Sequence, residues 1–159
     1  IHANNRKRVI RALEYYREQK QPISKHNEEQ RKKESPYEFA YFVLNRERSV
    51  LYERIDDRVD CMMKQGLLEE VERLARRGCT SDMVSMKGLG YKELLDYMNG
   101  KYSLEEAVRI IKRDTRHFAK RQITWFKRER DVNWIAMDKK TKQQALQEIL
   151  DICREKRIL

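Results

Sequence analysis

Two short apolar runs set the tightest limit on how this chain can fold. Phe39, Ala40, Tyr41, Phe42, Val43 and Leu44 make the first; residues 132–137 make the second, about ninety positions later. The first is uninterrupted, aromatic and β-branched, the pattern of a strand covered on both faces in a parallel sheet. Everything else is patterned as helix. Two buried-type strands do not make a stable sheet alone, because both faces and both edges need partners. The pattern predicts a helix-rich α/β chain holding two strands of a parallel sheet that continues elsewhere. The chain opens on Ile1 rather than Met, which fits a piece of a longer protein.

Residues 6–18 read as an amphipathic helix with Val9, Ile10, Leu13 and Tyr16 on one side, and Pro22 lies just beyond its end. The polar stretch 26–36 reads as a linker or a solvated helix, and the domain boundary is placed there: residues 1–36, then 37–159. Ser49 is positioned to cap a helix carrying Leu51, Ile55, Val59 and Met62. A second helix, 67–77, should end at a left-handed Gly78. A short helix follows over 91–98. Ser103 and Glu106 form a capping-box pattern opening a long helix that runs to about Arg128. Its apolar stripe is read as Leu104, Ala107, Val108, Ile111, Phe118, Ala119 and Trp125, with Trp125 facing the core by sevenfold spacing from Ile111 and Phe118. A last helix is expected over 140–154.

Charge narrows the partner. Lys and Arg number 36 against 26 Asp and Glu, a net +10, which favours a polyanion and nucleic acid first. No apolar run approaches the roughly 18 residues of a membrane span. Cys61, Cys79 and Cys153 are odd in number and lack C-x-x-C spacing, and His2, His26 and His117 are scattered. Neither a disulfide framework nor a His/Cys metal site is indicated, and a reducing cytoplasm is the expected setting.

Three patterns carry candidate chemistry. Along the long helix lie Arg109, Lys112, Arg113, Arg116, Lys120, Arg121, Lys127 and Arg128, interleaved near the end with Gln122, Thr124, Trp125 and Phe126. Cations neutralise phosphates, an amide reads a base edge and rings stack on unpaired bases; the same pattern also describes a solvated basic face over a core stripe. Lys87-Gly88-Leu89-Gly90-Tyr91-Lys92 is either an anion-approaching glycine loop or a plain turn between helices. It is not a P-loop, since G-x-x-x-x-G-K-[ST] occurs nowhere in the chain. Arg54 and Arg58, four apart, present two guanidinium groups to a diphosphate or else pair with Asp56, Asp57 and Asp60.

Four ordered blocks resemble bacterial tRNA dimethylallyltransferases: Arg8 to Glu14 with Pro22-Ile23-Ser24; Leu51 to Asp60 with Gly66-Leu67 and Glu70-Val71; Gly88 to Glu93; and Ala119 to Phe126. The resemblance implies a P-loop-type α/β core with a helical tRNA-binding insertion, of which residues 1–36 would be the tail. It also implies dimethylallyl transfer from dimethylallyl diphosphate to N6 of adenosine 37, with Mg²⁺ assistance, in a cytoplasmic monomer. The family's general-base Asp and its P-loop match no segment here, so no catalytic residue or metal ligand is assigned and the chain alone is expected to be inactive. The positions matching tRNA contacts are Lys7, Arg8, Val9, Ile10 and Arg11; Lys87, Gly88, Leu89, Gly90, Tyr91 and Lys92; and Lys120, Arg121, Gln122, Ile123, Thr124, Trp125, Phe126 and Lys127. Their partner would be the tRNA anticodon stem-loop, and Arg58 is the candidate cation for the diphosphate. Ala3 stands where the family usually has Pro, and Lys20 where Gly commonly precedes the Pro-x-Ser turn. The alternatives are a stand-alone basic helical RNA-binding module without catalysis, and a helical domain whose positive face meets an acidic protein.

Overall fold

The computed structural model describes residues 2–33 and 35–159; Ile1 and Glu34, both inside the first proposed domain, lie outside the described residues. The chain divides into two compact units, Ile1–Phe39 and Ala40–Leu159.

The first unit is a helix pair, α1 (Arg6–Gln19) and α2 (Ile23–Lys32). The Asn5 side chain caps α1 by accepting from the Arg8 N–H at 3.3 Å. At the other end Lys20 adopts φ +56°, the left-handed conformation, and its N–H reaches the Tyr16 carbonyl at 2.9 Å. The turn needs positive φ, which is why Gly suits this position. Lys20 keeps the turn at some conformational cost. The polar stretch that sequence left open between linker and helix is helical through Lys32.

The second unit holds β1 (Tyr41–Asn45), α3 (Arg48–Lys64), α4 (Leu67–Arg76), a 3₁₀ turn (Val84–Lys87), α5 (Tyr91–Met98), α6 (Leu104–Phe126), β2 (Val132–Ala136) and α7 (Lys142–Glu155). The two strands pair in parallel, with Tyr41 opposite Val132 and Asn45 opposite Ala136. The architecture is therefore helix-rich α/β, as expected. Val43 and Ile135 are buried, whereas Leu44 is 60% exposed beside a partly exposed Trp134. The described residues cover one face of this two-stranded ribbon, not two.

The core lies among the helices. Val59 of α3, Leu67 and Val71 of α4, Met86 of the 3₁₀ turn, Leu94 and Leu95 of α5, and Ala107 and Ile111 of α6 form one buried cluster. Each of these side chains except the smaller Ala107 contributes roughly 1.5–3 kcal/mol on burial. Gly78 has φ +88° where α4 ends. Its N–H reaches the Ala75 carbonyl while Cys79 N–H reaches that of Leu74, the paired bonds of a Schellman stop.

Capping follows the sequence only in part. Ser103 accepts from Glu106 N–H at 3.2 Å, but the Glu106 carboxylate turns to Arg109 instead of reaching back. The complete reciprocal box is at α7, between Thr141 and Gln144.

Candidate nucleic-acid interface

α6 sorts its positive charges into two sets. In its first half each cation has an acid: Arg109 with Glu106, Lys112 with Asp60 at 2.6 Å, Arg113 with Asp114 at 2.7 Å, and Arg116 with both oxygens of Asp56. The Asp56 and Asp60 contacts also tie α6 to α3. Among the described residues, Lys120, Arg121, Lys127 and Arg128 meet no carboxylate. The basic helix is thus an internally neutralised segment followed by an uncompensated one.

The uncompensated segment carries an open groove of about 480 Å³, lined by His117, Lys120, Arg121, Thr124, Trp125 and Arg128. The spacing 117, 120, 121, 124, 125, 128 is one helical face. Trp125 stands on it 54% exposed, and neighbouring Phe118 is 45% exposed beneath the Arg121 guanidinium, 5.7 Å from the ring centre. The Thr124 hydroxyl donates to the Lys120 carbonyl at 2.9 Å. Rings and free cations on one accessible face are what unpaired nucleotides need: a surface to stack on and charge for phosphate.

This corrects the expectation that Trp125 and Phe118 belong to the core stripe. The inward positions advance by fours, Ala107, Ile111, Thr115, Ala119 and Ile123, because α6 changes partners along its length. It begins against α3 and α5. Later, Ala119, Ile123 and Phe126 share an apolar groove with Val43, Leu44 and Leu51. Trp125 is two residues from Ile123, hence about 160° away around the helix. Sevenfold extrapolation assumed one partner throughout. Of the block 120–127, Lys120, Arg121, Thr124 and Trp125 meet in the basic groove, Gln122, Ile123 and Phe126 turn to the apolar one, and Lys127 lines neither. The expected common face of Lys120, Thr124 and Lys127 is replaced by one that includes Trp125 and Arg128.

The glycine loop is built rather than slack. Met86 anchors its near end in the core. At the far end Gly90 has φ +96°, and its N–H donates at 2.8 Å to the carboxylate of buried Glu93. Only glycine takes this conformation without strain. The Tyr91 hydroxyl donates to Glu70 of α4. Lys87, Gly88, Leu89 and Lys92 remain exposed, while Gly90 is buried. Arg113, hydrogen-bonded to Asp114, holds that carboxyl below its usual range against the opposing effect of burial, and the charges of His117 and Lys92 act on it in the same sense. Sequence reading missed His117 and Phe118 as surface residues; the polar and aromatic face at 3–4 spacing was the available signal.

The hydrogen bond to Glu70, then burial, then the Glu70 charge raise the Tyr91 pKa. A raised folded-state value means stability is complete below the ordinary tyrosine value of about 10 and is lost as pH rises through the higher folded value. Melting temperature should fall above about pH 10, and Tyr91→Phe should lose part of that fall. An identical alkaline profile in the variant would refute the linkage.

On α1, Lys7, Arg8, Ile10 and Arg11 are exposed and Val9 is half-buried. Arg58 is exposed on α3. Two of the three aspartates expected to neutralise it and Arg54 are otherwise engaged, Asp56 by Arg116 and Asp60 by Lys112, while Asp57 makes no ion pair with either arginine. Arg54, not Arg58, lines the apolar groove of about 350 Å³ beside β1. No group of three or more His, Cys, Asp or Glu among the described residues is gathered to hold a metal. No helix among the described residues is long and apolar enough to cross a membrane.

The chain has recognisable relatives. A protein of Lachnoclostridium phytofermentans named tRNA dimethylallyltransferase is 56% identical over 160 residues, covering 100% of this chain and 51% of its own. One of the same name from Acetivibrio thermocellus is 51% identical over 138 residues, 87% of this chain and 44% of that one. The solved tRNA delta(2)-isopentenylpyrophosphate transferase of Staphylococcus epidermidis superposes with a TM-score of 0.74 at 39% identity, over 98% of this chain and 50% of that chain. The tRNA isopentenylpyrophosphate transferase of Bacillus halodurans gives 0.73 at 40%, over 98% and 46%. The chain thus spans about half the length of the curated relatives it matches. Residues 1–129 match the family model for IPP transferase, and with these likenesses the chain belongs to the IPP transferase family.

Proposed function

We propose that this chain is the RNA-gripping part of a tRNA-modifying enzyme that moves a dimethylallyl group from dimethylallyl diphosphate to N6 of adenosine 37. The observation that carries the reading is the uncompensated cationic groove around exposed Trp125, in a member of the IPP transferase family. Lys87, Lys92, Lys120, Arg121 and Arg128 neutralise phosphates of the anticodon stem-loop, Trp125 stacks on an unpaired base, and Lys7, Arg8 and Arg11 add a second basic patch on α1. Val9, Ile10, Gly88, Leu89, Gly90 and Tyr91 shape these surfaces, and Gln122, Ile123, Phe126 and Lys127 complete the helix block.

In the reaction the bond from N6 to the prenyl C1 forms as the C1–O bond breaks. Diphosphate departs and the N6 proton passes to a general base. Adenine N6 is a poor nucleophile, so base and diphosphate cradle are both needed. Arg58 is proposed to face the diphosphate, with Arg54 one turn away. Magnesium, which the family resemblance implies, would supply charge for the departing diphosphate.

No phosphate-loop motif occurs in these 159 residues. The chain alone should therefore bind unmodified tRNA but yield no measurable transfer with dimethylallyl diphosphate and Mg²⁺. Product at a rate comparable to a full-length relative would overturn this division of labour. Failure to bind tRNA at low salt would overturn the RNA assignment.

A further inference from the structure

Inside the glycine loop, the atoms that could touch RNA and the atoms that hold the loop are different atoms. The Tyr91 hydroxyl is committed to Glu70. Gly90 N–H is committed to Glu93, and Gly90 itself is buried at φ +96°, a conformation strained for any side chain. What stays exposed is the crest, Lys87, Gly88 and Leu89, with Lys92 beside it; of its backbone, the Gly88 carbonyl accepts from the Lys92 N–H at 3.3 Å. The crest is pinned at both ends, by Met86 in the core and by the Gly90–Tyr91 pair.

Glu70 sits in the first turn of α4, where the helix dipole favours a carboxylate, and makes no ion pair among the described residues. Its one side-chain hydrogen bond is the one it accepts from Tyr91. A half-buried carboxylate without a cation, reaching across to another helix for one hydroxyl, is poorly explained by stability alone. An apolar pair would serve as well there.

We propose that Glu70 is a positioning residue for RNA binding: through Tyr91 it fixes the Lys87–Leu89 crest at the height where its backbone and Lys87 meet the nucleic acid. This rests on the RNA reading above. Tyr91 accordingly acts as a strut, not as a contact. Glu93 performs the equivalent task for the Gly90 amide.

The test uses the chain with an unmodified anticodon stem-loop RNA, measuring affinity across salt concentrations well below the melting temperature, together with thermal melts. Glu70→Ala and Tyr91→Phe should each weaken binding about tenfold. The double variant should be no worse than either single one, because one link is lost in every case. Glu70→Gln keeps an acceptor and should restore binding. The salt slope should stay unchanged in all four, since no phosphate-binding side chain is removed, whereas Lys87→Ala should flatten it. Unchanged affinity with a lowered melting temperature would mean a structural role only and overturn the proposal. Weakening by Tyr91→Phe with normal binding by Glu70→Ala would make Tyr91 a direct contact and also overturn it. If the unaltered chain binds no RNA, the underlying reading falls and this inference with it.

Discussion

Replacing Lys120, Arg121 and Arg128 together by alanine should weaken binding of an anticodon stem-loop by about 10- to 100-fold near 0.1 M salt. It should also flatten the plot of log affinity against log salt by about 2, on roughly 0.7 per phosphate contact for unpaired strands. These cations have no carboxylate partner among the described residues and line one groove, which leaves their charge available to a phosphate backbone. Arg109→Ala is the matched control. Arg109 is equally basic and lies on the same helix, but Glu106 already neutralises it, so its loss should change affinity by no more than about twofold. Equal effects from the two sets would mean that total charge, not the groove, governs binding.

The second large effect separates core from surface. Leu94 is fully buried at the centre of the helical cluster, and Leu94→Ala should cost about 3–5 kcal/mol of stability. Trp125→Ala, at a site 54% exposed, should cost no more than about 1 kcal/mol. It should instead weaken RNA binding by about 1–3 kcal/mol, the worth of one stacked base. Chemical denaturation and RNA titration of both variants measure this. A Trp125→Ala loss of stability as large as that of Leu94→Ala would return the ring to the core and remove it from the interface.

The ion pairs between α3 and α6 join these two regions. Arg116 holds both oxygens of Asp56, and Lys112 holds Asp60. The same contacts engage two of the three aspartates beside Arg54 and Arg58 in sequence. Local charge counting could not sort either helix, offering for α3 either free guanidinium groups or pairing with its own aspartates. Their acids and bases pair across the interface instead.

Local signals were sufficient wherever chemistry is local. Both strands, the helices between them and the left-handed Gly78 stop were legible, since each depends on neighbours within a few residues. The four family blocks were legible because residue order is itself the signal. The side of α6 that Trp125 faces was not legible. It depends on the switch from α3 and α5 to the β1 region as neighbours, which no fixed period encodes. Nor was the commitment of Tyr91 to Glu70, residues 21 apart in sequence and joined only when α4 and α5 pack. Sequence by itself determined which elements form and which family they belong to. Tertiary structure alone decided which charges stay unpaired, because neutralisation depends on distance in space rather than along the chain.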